Sequence, residues 1–423
     1  MVEKKRSVMK YIRTYDDYES YKAEYSDTSR GFRLKPTLYK YSEAGDHIVL
    51  ETDDPRKHEG STYMEITLDS DVEFSFYIGN KSGDTQTTMT CSIDWGDDTI
   101  ETKTITKDTY GFKLAHNYVA GSYKIELYDV ERDYSVVEGV KVTITEGGYY
   151  YYHTSRISHP SSVKRIVLGE RVVKIGAGAF GYCTSLTSIY IPEGVTIINE
   201  ETFGHCTSLK SIYIPKSVTS IESWVFLNCR ALRSIHIPES VTIIEAAAFQ
   251  SCSSLTSIRI PKGVTSIDTN AFRECTSLKS IYLPKGITTI KPYAFYKCSS
   301  LTSINIPNSV TLIDKGAFES CTSLTSIYLP KGITTINRSS FYSCSSLKSI
   351  DIPEKVTSIG DSAFEGCSSL TSISSFNLTT PTLGGNIFLN LPTNGTLHIK
   401  PGATGYDAWL SKLPEGWRIV EDL

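Results

Sequence analysis

Cysteine, phenylalanine and proline recur with one shared step of 23 residues, and this period limits the fold more than any other feature. Cysteines stand at Cys183, Cys206, Cys229, Cys252, Cys275, Cys298, Cys321, Cys344 and Cys367. Phenylalanines keep the same step from Phe180 through Phe295 and Phe318 to Phe364, and prolines from Pro192 through Pro330 to Pro353. Several residue types locked to one period mean one structural unit copied many times. A unit this short cannot bury its own apolar groups, so it must stack on its copies.

One copy shows how. In Leu324-Thr-Ser-Ile327-Tyr-Leu329 the last residues alternate, which predicts a short strand with Ile327 and Leu329 inward. Pro330 has no N–H and ends that strand. Ile333 and Ile336 form a second inward pair, and Ala317-Phe318 closes the turn. A period between 20 and 29 with this Leu-x-x-Ile-x-Ile core is the sign of a leucine-rich-repeat solenoid. With ten or eleven coils, its parallel sheet should run roughly 50 Å at ordinary strand spacing. The first coil is degenerate: Val163, Ile166 and Leu168 fit the strand, but Gly169 replaces proline. At the other end Phe376 stands where proline is due. A strand is predicted at Thr396–Ile399, then a short helix and a final strand within TGYDAWLSKLPEGWRIVEDL. Such atypical ends cover an open core.

These residues resemble the BspA-like, or Treponema-type, leucine-rich repeats over about residues 160–420. The resemblance implies surface display, adhesion and binding of protein or glycan, without catalysis. The solenoid is placed at 161–395 and its cap at 396–423.

Residues 59–147 follow other rules. Met64, Ile66 and Leu68 alternate, as do Val72, Phe74, Phe76 and Ile78, and turn signals separate short strands. That spacing predicts a β-sandwich. DWGDD at 94–98 and HNYVAGSYKIEL at 116–127 resemble the PKD domain, an immunoglobulin-like module with the pattern WxFGDG followed by HTYxxxGxYxV. Trp95 stands here for its Phe and Asp98 for its Gly. The resemblance implies a spacer or adhesive unit. Residues 148–160, with the run Tyr149–Tyr152, are assigned as a linker or entry strand.

In residues 1–58, Tyr11, Tyr15, Tyr18, Tyr21 and Tyr25 recur at helical spacing, and Leu38–Tyr41 with His47–Glu51 suggests a hairpin. This start resembles attachment segments of fibre and tail proteins in phages of gut Bacteroidetes. It shows no apolar segment after its positive charges, so no secretory signal is read there. No apolar run approaches a bilayer-spanning length. The fold class is therefore mainly β with short helical or irregular turns: a leucine-rich-repeat solenoid, preceded by an immunoglobulin-like β-sandwich and a small amino-terminal segment.

A formal net charge of −4 argues against blanket attraction to nucleic acid or anionic membranes. Catalysis by one cysteine is disfavoured because nine are equivalent and no base recurs beside them. Zinc needs four converging ligands, which a straight ladder cannot supply, and no CxxC occurs. Disulfides fit poorly, because each rung has two equal neighbours. Buried thiols acting as small hydrophobes, with Cys91 in the same part, fit best. The serine ladder from Ser188 to Ser372 has no acid–base partner and reads as an outward hydroxyl row. Asp94, Asp97 and Asp98 form either a solvated turn or a calcium-binding one. No catalytic residue, cofactor or metal site is assigned.

The informative position lies between the two inward strand residues. It reads Tyr190, Tyr213, His236, Arg259, Tyr282, Asn305, Tyr328 and Asp351. Lys210, Arg233, Lys279 and Lys348 add positive charge nearby. With 27 tyrosines in the chain, a tyrosine-rich concave face suits a protein loop or a polysaccharide. A solvated sheet face with cross-strand tyrosine packing is the plain alternative. The expected function is non-catalytic recognition of a protein or glycan on a cell surface, on a phage particle anchored through residues 1–58. The alternative is a secreted or surface adhesin of a bacterium. A homo-oligomer is compatible with either.

Overall fold

The computed structural model describes residues 39–41, 48–50, 62–68, 72–80, 88–106, 112–129, 142–144, 160–168 and 172–423. The helix expected over Tyr11–Tyr25 and the run Tyr149–Tyr152 lie outside the described residues. Within them β1 (Tyr39–Tyr41) and β2 (Ile48–Leu50) pair antiparallel as the expected hairpin.

The repeats form a β-solenoid of about eleven turns with almost no helix. Equivalent positions pair across neighbouring coils: Ser257 with Ser280, Ile258 with Ile281, and Arg259 with Tyr282. On the second side Ser266 pairs with Thr289 and Ile267 with Ile290. A one-residue slip would turn every inward isoleucine outward, so the 23-residue period itself fixes the register. Leu324, Ile327, Leu329, Ile333 and Ile336 are all buried, as their spacing predicts.

Two further columns run through the interior. The rings of Phe180 through Phe364 stack face to face, with centroids 5.3 Å apart between Phe295 and Phe318. Each thiol from Cys206 to Cys367 donates to the carbonyl of a phenylalanine one coil back, as Cys321 Sγ does to Phe295 O at 3.1 Å. The turn between them is a third hydrogen-bonded side. Phe295 N donates to Ala317 O at 2.9 Å, and Lys297 N to Glu319 O at 2.8 Å. To aim these N–H groups at the next coil, the residue before each cysteine adopts a left-handed conformation, with φ 56° at Lys297 and 60° at Ser320.

The first sheet is narrower than its alternation predicts. Residues 211–213 and 234–236 share only the bridge between Tyr213 and His236, and 303–305 and 326–328 form no ladder. The strands are short, with only five residues between leucine and proline in each of these coils, and leave few slanted parallel bonds to make. Burial of Ile304 and Ile327 persists regardless.

The stack is closed differently at its two ends. Toward the amino terminus are β3 (Thr62–Leu68), β4 (Val72–Asn80), β5 (Thr88–Asp94), β6 (Ile100–Thr106), β7 (Phe112–Tyr118), β8 (Gly121–Asp129) and β9 (Val142–Ile144). They fall into two sheets, and both continue into the solenoid. β10 (Val163–Val167) pairs antiparallel with β3 and parallel with Ser188–Tyr190. β11 (Val172–Ile175) pairs parallel with β9 on one side and Ile198 on the other. Ile66, Leu68, Ile93, Trp95 and Tyr118 join one apolar core with the first coils. Hydrogen bonding thus crosses the domain boundary read from the sequence. At the carboxyl end Thr396–Ile399 and Arg418–Glu421 extend the first sheet in parallel, with a one-turn helix Asp407–Leu410 between them. Ser375, in the segment that runs into Phe376, is fully buried and hydrogen-bonds Tyr406 Oη at 2.7 Å. Trp409 caps the phenylalanine column, its ring centroid 5.8 Å from Phe388.

Candidate recognition face

All eight residues singled out from the sequence lie in one outward row of the first sheet, one per coil. Tyr190 and Tyr213 are half-buried, while His236, Arg259, Tyr282, Asn305, Tyr328 and Asp351 are exposed. Neighbours in the row are one strand spacing apart, about 4.8 Å. Each side chain projects because its two strand neighbours are pinned inward, as Ile327 and Leu329 pin Tyr328.

The row is tied to a second one that sequence reading missed. The residue after each repeat proline reads Glu193, Lys216, Glu239, Lys262, Lys285, Asn308, Lys331 and Glu354. Two contacts place it beside the first row. Tyr213 Oη donates to Glu193 Oε1 at 3.2 Å, and Arg259 Nε lies 3.8 Å from Glu239 Oε1. Arg259 also lies over the Tyr282 ring, 4.5 Å from its centroid. The signal was present in the sequence, since this position carries the same period and varies in charge. Lys210, Arg233, Lys279 and Lys348 are exposed on the other flank.

The turn edge varies as well. Tyr182 and His205 stack at 4.3 Å. Arg273 lies over Tyr296 at 4.5 Å, with Lys297 at 5.2 Å. Glu319 sits among these charges. Burial pushes its carboxyl up, against the opposing pull of Arg273, Lys297 and Arg338. The acidic side chains Glu200, Glu201, Glu222 and Glu245 gather on this edge too, and burial followed by mutual repulsion raises Glu200.

The cysteines lie elsewhere. All nine from Cys183 to Cys367 are free and buried. Burial pushes each thiol up, Cys321 to about 12, so the thiolate that a nucleophile or metal ligand requires is suppressed. The side chain of Cys91 lies outside the described residues. The serine row is partly to fully exposed, as its outward assignment requires.

In the amino-terminal unit the residues of the stretches 94–98 and 116–118 converge. Trp95 is buried, stacks on His116 at 5.0 Å, and accepts at its carbonyl from Tyr118 Oη at 2.8 Å. Asp97 meets His116 Nε2 at 2.7 Å and accepts from Thr99 N at 3.2 Å. Partial burial pushes the Asp97 carboxyl up, but these hydrogen bonds outweigh it and hold it below its ordinary value. The carboxylate is thereby committed to its own loop. Among the described residues no helix is long and apolar enough to cross a membrane.

The family model described as the BspA type leucine rich repeat region, in six copies, matches residues 155–279 and 265–395. The chain is also similar to solved structures. A leucine-rich repeat protein of Bacteroides ovatus is 22% identical, covering 82% of this chain and 98% of its own, with a TM-score of 0.42. A leucine rich cell surface protein of Faecalibacterium prausnitzii is 28% identical over 66% of this chain and 88% of its own, at 0.39. A pneumococcal vaccine antigen is 20% identical over 67% and 85%, at 0.44. No curated protein matches the chain.

Proposed function

The chain belongs to the BspA-type leucine-rich repeat family, and from that membership we propose that it is a non-catalytic recognition and adhesion protein of a cell surface. It binds a protein or glycan through the outward row from Tyr190 to Asp351. The observation that carries this reading is the contrast between an interior that exchanges only small or aliphatic groups around unchanging Phe and Cys columns and an exposed row that changes in chemical class at nearly every coil. Packing fixes the interior, whereas nothing in the packing selects tyrosine, arginine or aspartate outside. Large amphipathic rings on a rigid support offer contact area at little cost in ordering.

Residues 59–147 serve as an immunoglobulin-like spacer in this proposal, supported by strands in two sheets and by the Trp95–His116–Tyr118 cluster. Residues 1–58 serve as the anchor. Family membership favours a bacterial surface, and no observation favours a phage particle, so the surface setting replaces the virion setting expected first.

Adhesion of the purified chain to cells that it decorates tests the proposal. Replacing Tyr213, Tyr282 and Tyr328 together by alanine should abolish adhesion while leaving the circular dichroism spectrum unchanged. Undiminished adhesion of that variant refutes the face.

A further inference from the structure

Resting on that assignment of the face, we propose that its ligand is a linear anionic glycan that alternates one acidic and one neutral sugar. Charge is distributed unevenly along the two rows. In the coils of Arg259, Tyr282, Asn305 and Tyr328, the two rows carry no carboxylate. Glu239 precedes this stretch, and Asp351 and Glu354 follow it. A basic segment four coils long is therefore bounded by acids on a chain whose formal net charge is −4.

Over the last three coils of the segment the chemistry alternates, after a first coil that carries two cations, Arg259 and Lys262. Tyr282 stands beside Lys285, then Asn305 beside Asn308, then Tyr328 beside Lys331. All six are exposed, and the two tyrosines rank among the most exposed large apolar groups at 48% and 47%. Neither Lys285 nor Lys331 makes an ion pair among the described residues. The repeat distance is two strand spacings, roughly 10 Å, about the length of a disaccharide in an extended chain. Each tyrosine offers a ring against which the C–H face of a sugar packs, and the lysine beside it meets that sugar's carboxylate or sulfate. The asparagine pair supplies amide donors and acceptors to the uncharged sugar between. Arg259 lies over the Tyr282 ring and steadies the first platform.

A flat row of this kind suits a sugar chain better than an acidic peptide. Peptides gain affinity from buried anchors or from pairing with a free strand edge. Here the segments concerned are inside the stack, and the rings stand on the surface.

Binding of the full chain to four size-matched probes tests the inference: hyaluronan, polygalacturonate, neutral dextran and polyglutamate. Hyaluronan should bind and dextran should not, with affinity falling as salt rises. The pair Lys285→Gln and Lys331→Gln should weaken hyaluronan about tenfold, the sum of two exposed charge contacts. The same charge change on the turn edge, Lys297→Gln with Lys315→Gln, should leave it unaltered. Asn308→Lys fills the gap in charge and should shift preference toward polygalacturonate, which is acidic at every sugar. Equal loss in both lysine pairs, or polyglutamate bound as tightly as hyaluronan, overturns the inference. A chain that adheres to cells through its tyrosines but ignores all anionic glycans also overturns it, while leaving the adhesive role standing. Loss of neither adhesion nor glycan binding in the tyrosine variant sinks both.

Discussion

The middle of the stack and its two ends face the same problem, an open apolar cross-section, and answer it in opposite ways. In the middle each coil is satisfied by the equivalent coil on either side. Phe295 stacks between Phe272 and Phe318, and Cys321 donates to a carbonyl of the preceding coil. At the ends no copy is available, so unlike groups must fit. Trp409 covers Phe388, Tyr406 reaches Ser375, and two sheets of the amino-terminal unit run directly into the first coils. Self-matching needs only a period, whereas closure needs particular residues in particular places.

Alkali should separate the two regions most strongly, because all nine buried thiols lie in the middle. Burial raises their folded pKa above the unfolded value of 9.0, to about 12 for Cys321. The sign follows: the folded state holds these protons more tightly, so the full stabilisation is present below pH 9 and is lost as pH rises toward 12. Each thiol removes about 1.4 kcal/mol per pH unit in that window. Chemical denaturation at pH 8 and pH 10 should show a steep loss, shallower by one thiol's share in Cys321→Ala. An unchanged slope in that variant would mean the thiols do not govern the alkaline limit. Acid should act on the other region. Asp97 is held below its ordinary value, so its contribution is present above pH 4 and fades as pH falls through the folded value. Tryptophan fluorescence should report loosening around Trp95 under acid before the coils unfold.

Ring removal tests whether the middle behaves as a one-dimensional stack. Phe295→Ala and Trp409→Ala each remove a buried ring, at a cost of about 3–5 kcal/mol. The consequences should differ in reach. Loss of Phe295 breaks contact with both neighbours and should split unfolding into two transitions. Loss of Trp409 should speed amide exchange over residues 396–421 and leave exchange near Phe226 as it was. Uniform weakening in both variants would show a single cooperative unit instead.

The same division explains what could be read from the sequence. The coils were legible because each inward position is stated nine times over, at Phe180 through Phe364 and Cys183 through Cys367. The closing strands at Thr396–Ile399 and Arg418–Glu421 were visible as alternation. The continuity of β3 with β10 and of β9 with β11 was not, since pairing between segments so far apart leaves no local pattern. The Tyr row was found by its variation, but the charged row after the prolines was passed over. Proline ends the strand, and the residue beyond it looks like a turn until Glu239 is seen reaching Arg259.

A glycine in each region gives a graded comparison. Gly395 lies so close to the Trp417 ring that an added methyl group would collide with it. Trp417 is held there by its indole N–H, which donates to Pro392 O at 2.8 Å, so the ring cannot easily withdraw. Gly395→Ala should therefore cost about 1–3 kcal/mol, the usual range for overpacking. Gly286, between two central coils, differs: the nearest atom to an added methyl group is Lys262 O at 3.4 Å, and the backbone needs no left-handed turn. Gly286→Ala should change stability by less than about 1 kcal/mol, and by stiffening the unfolded chain should raise it. Thermal denaturation of the two variants checks the pair. If alanine were tolerated at Gly395 as well as at Gly286, closure at the carboxyl end would be a loose cover, and the contrast with the self-matched middle would lose its physical basis.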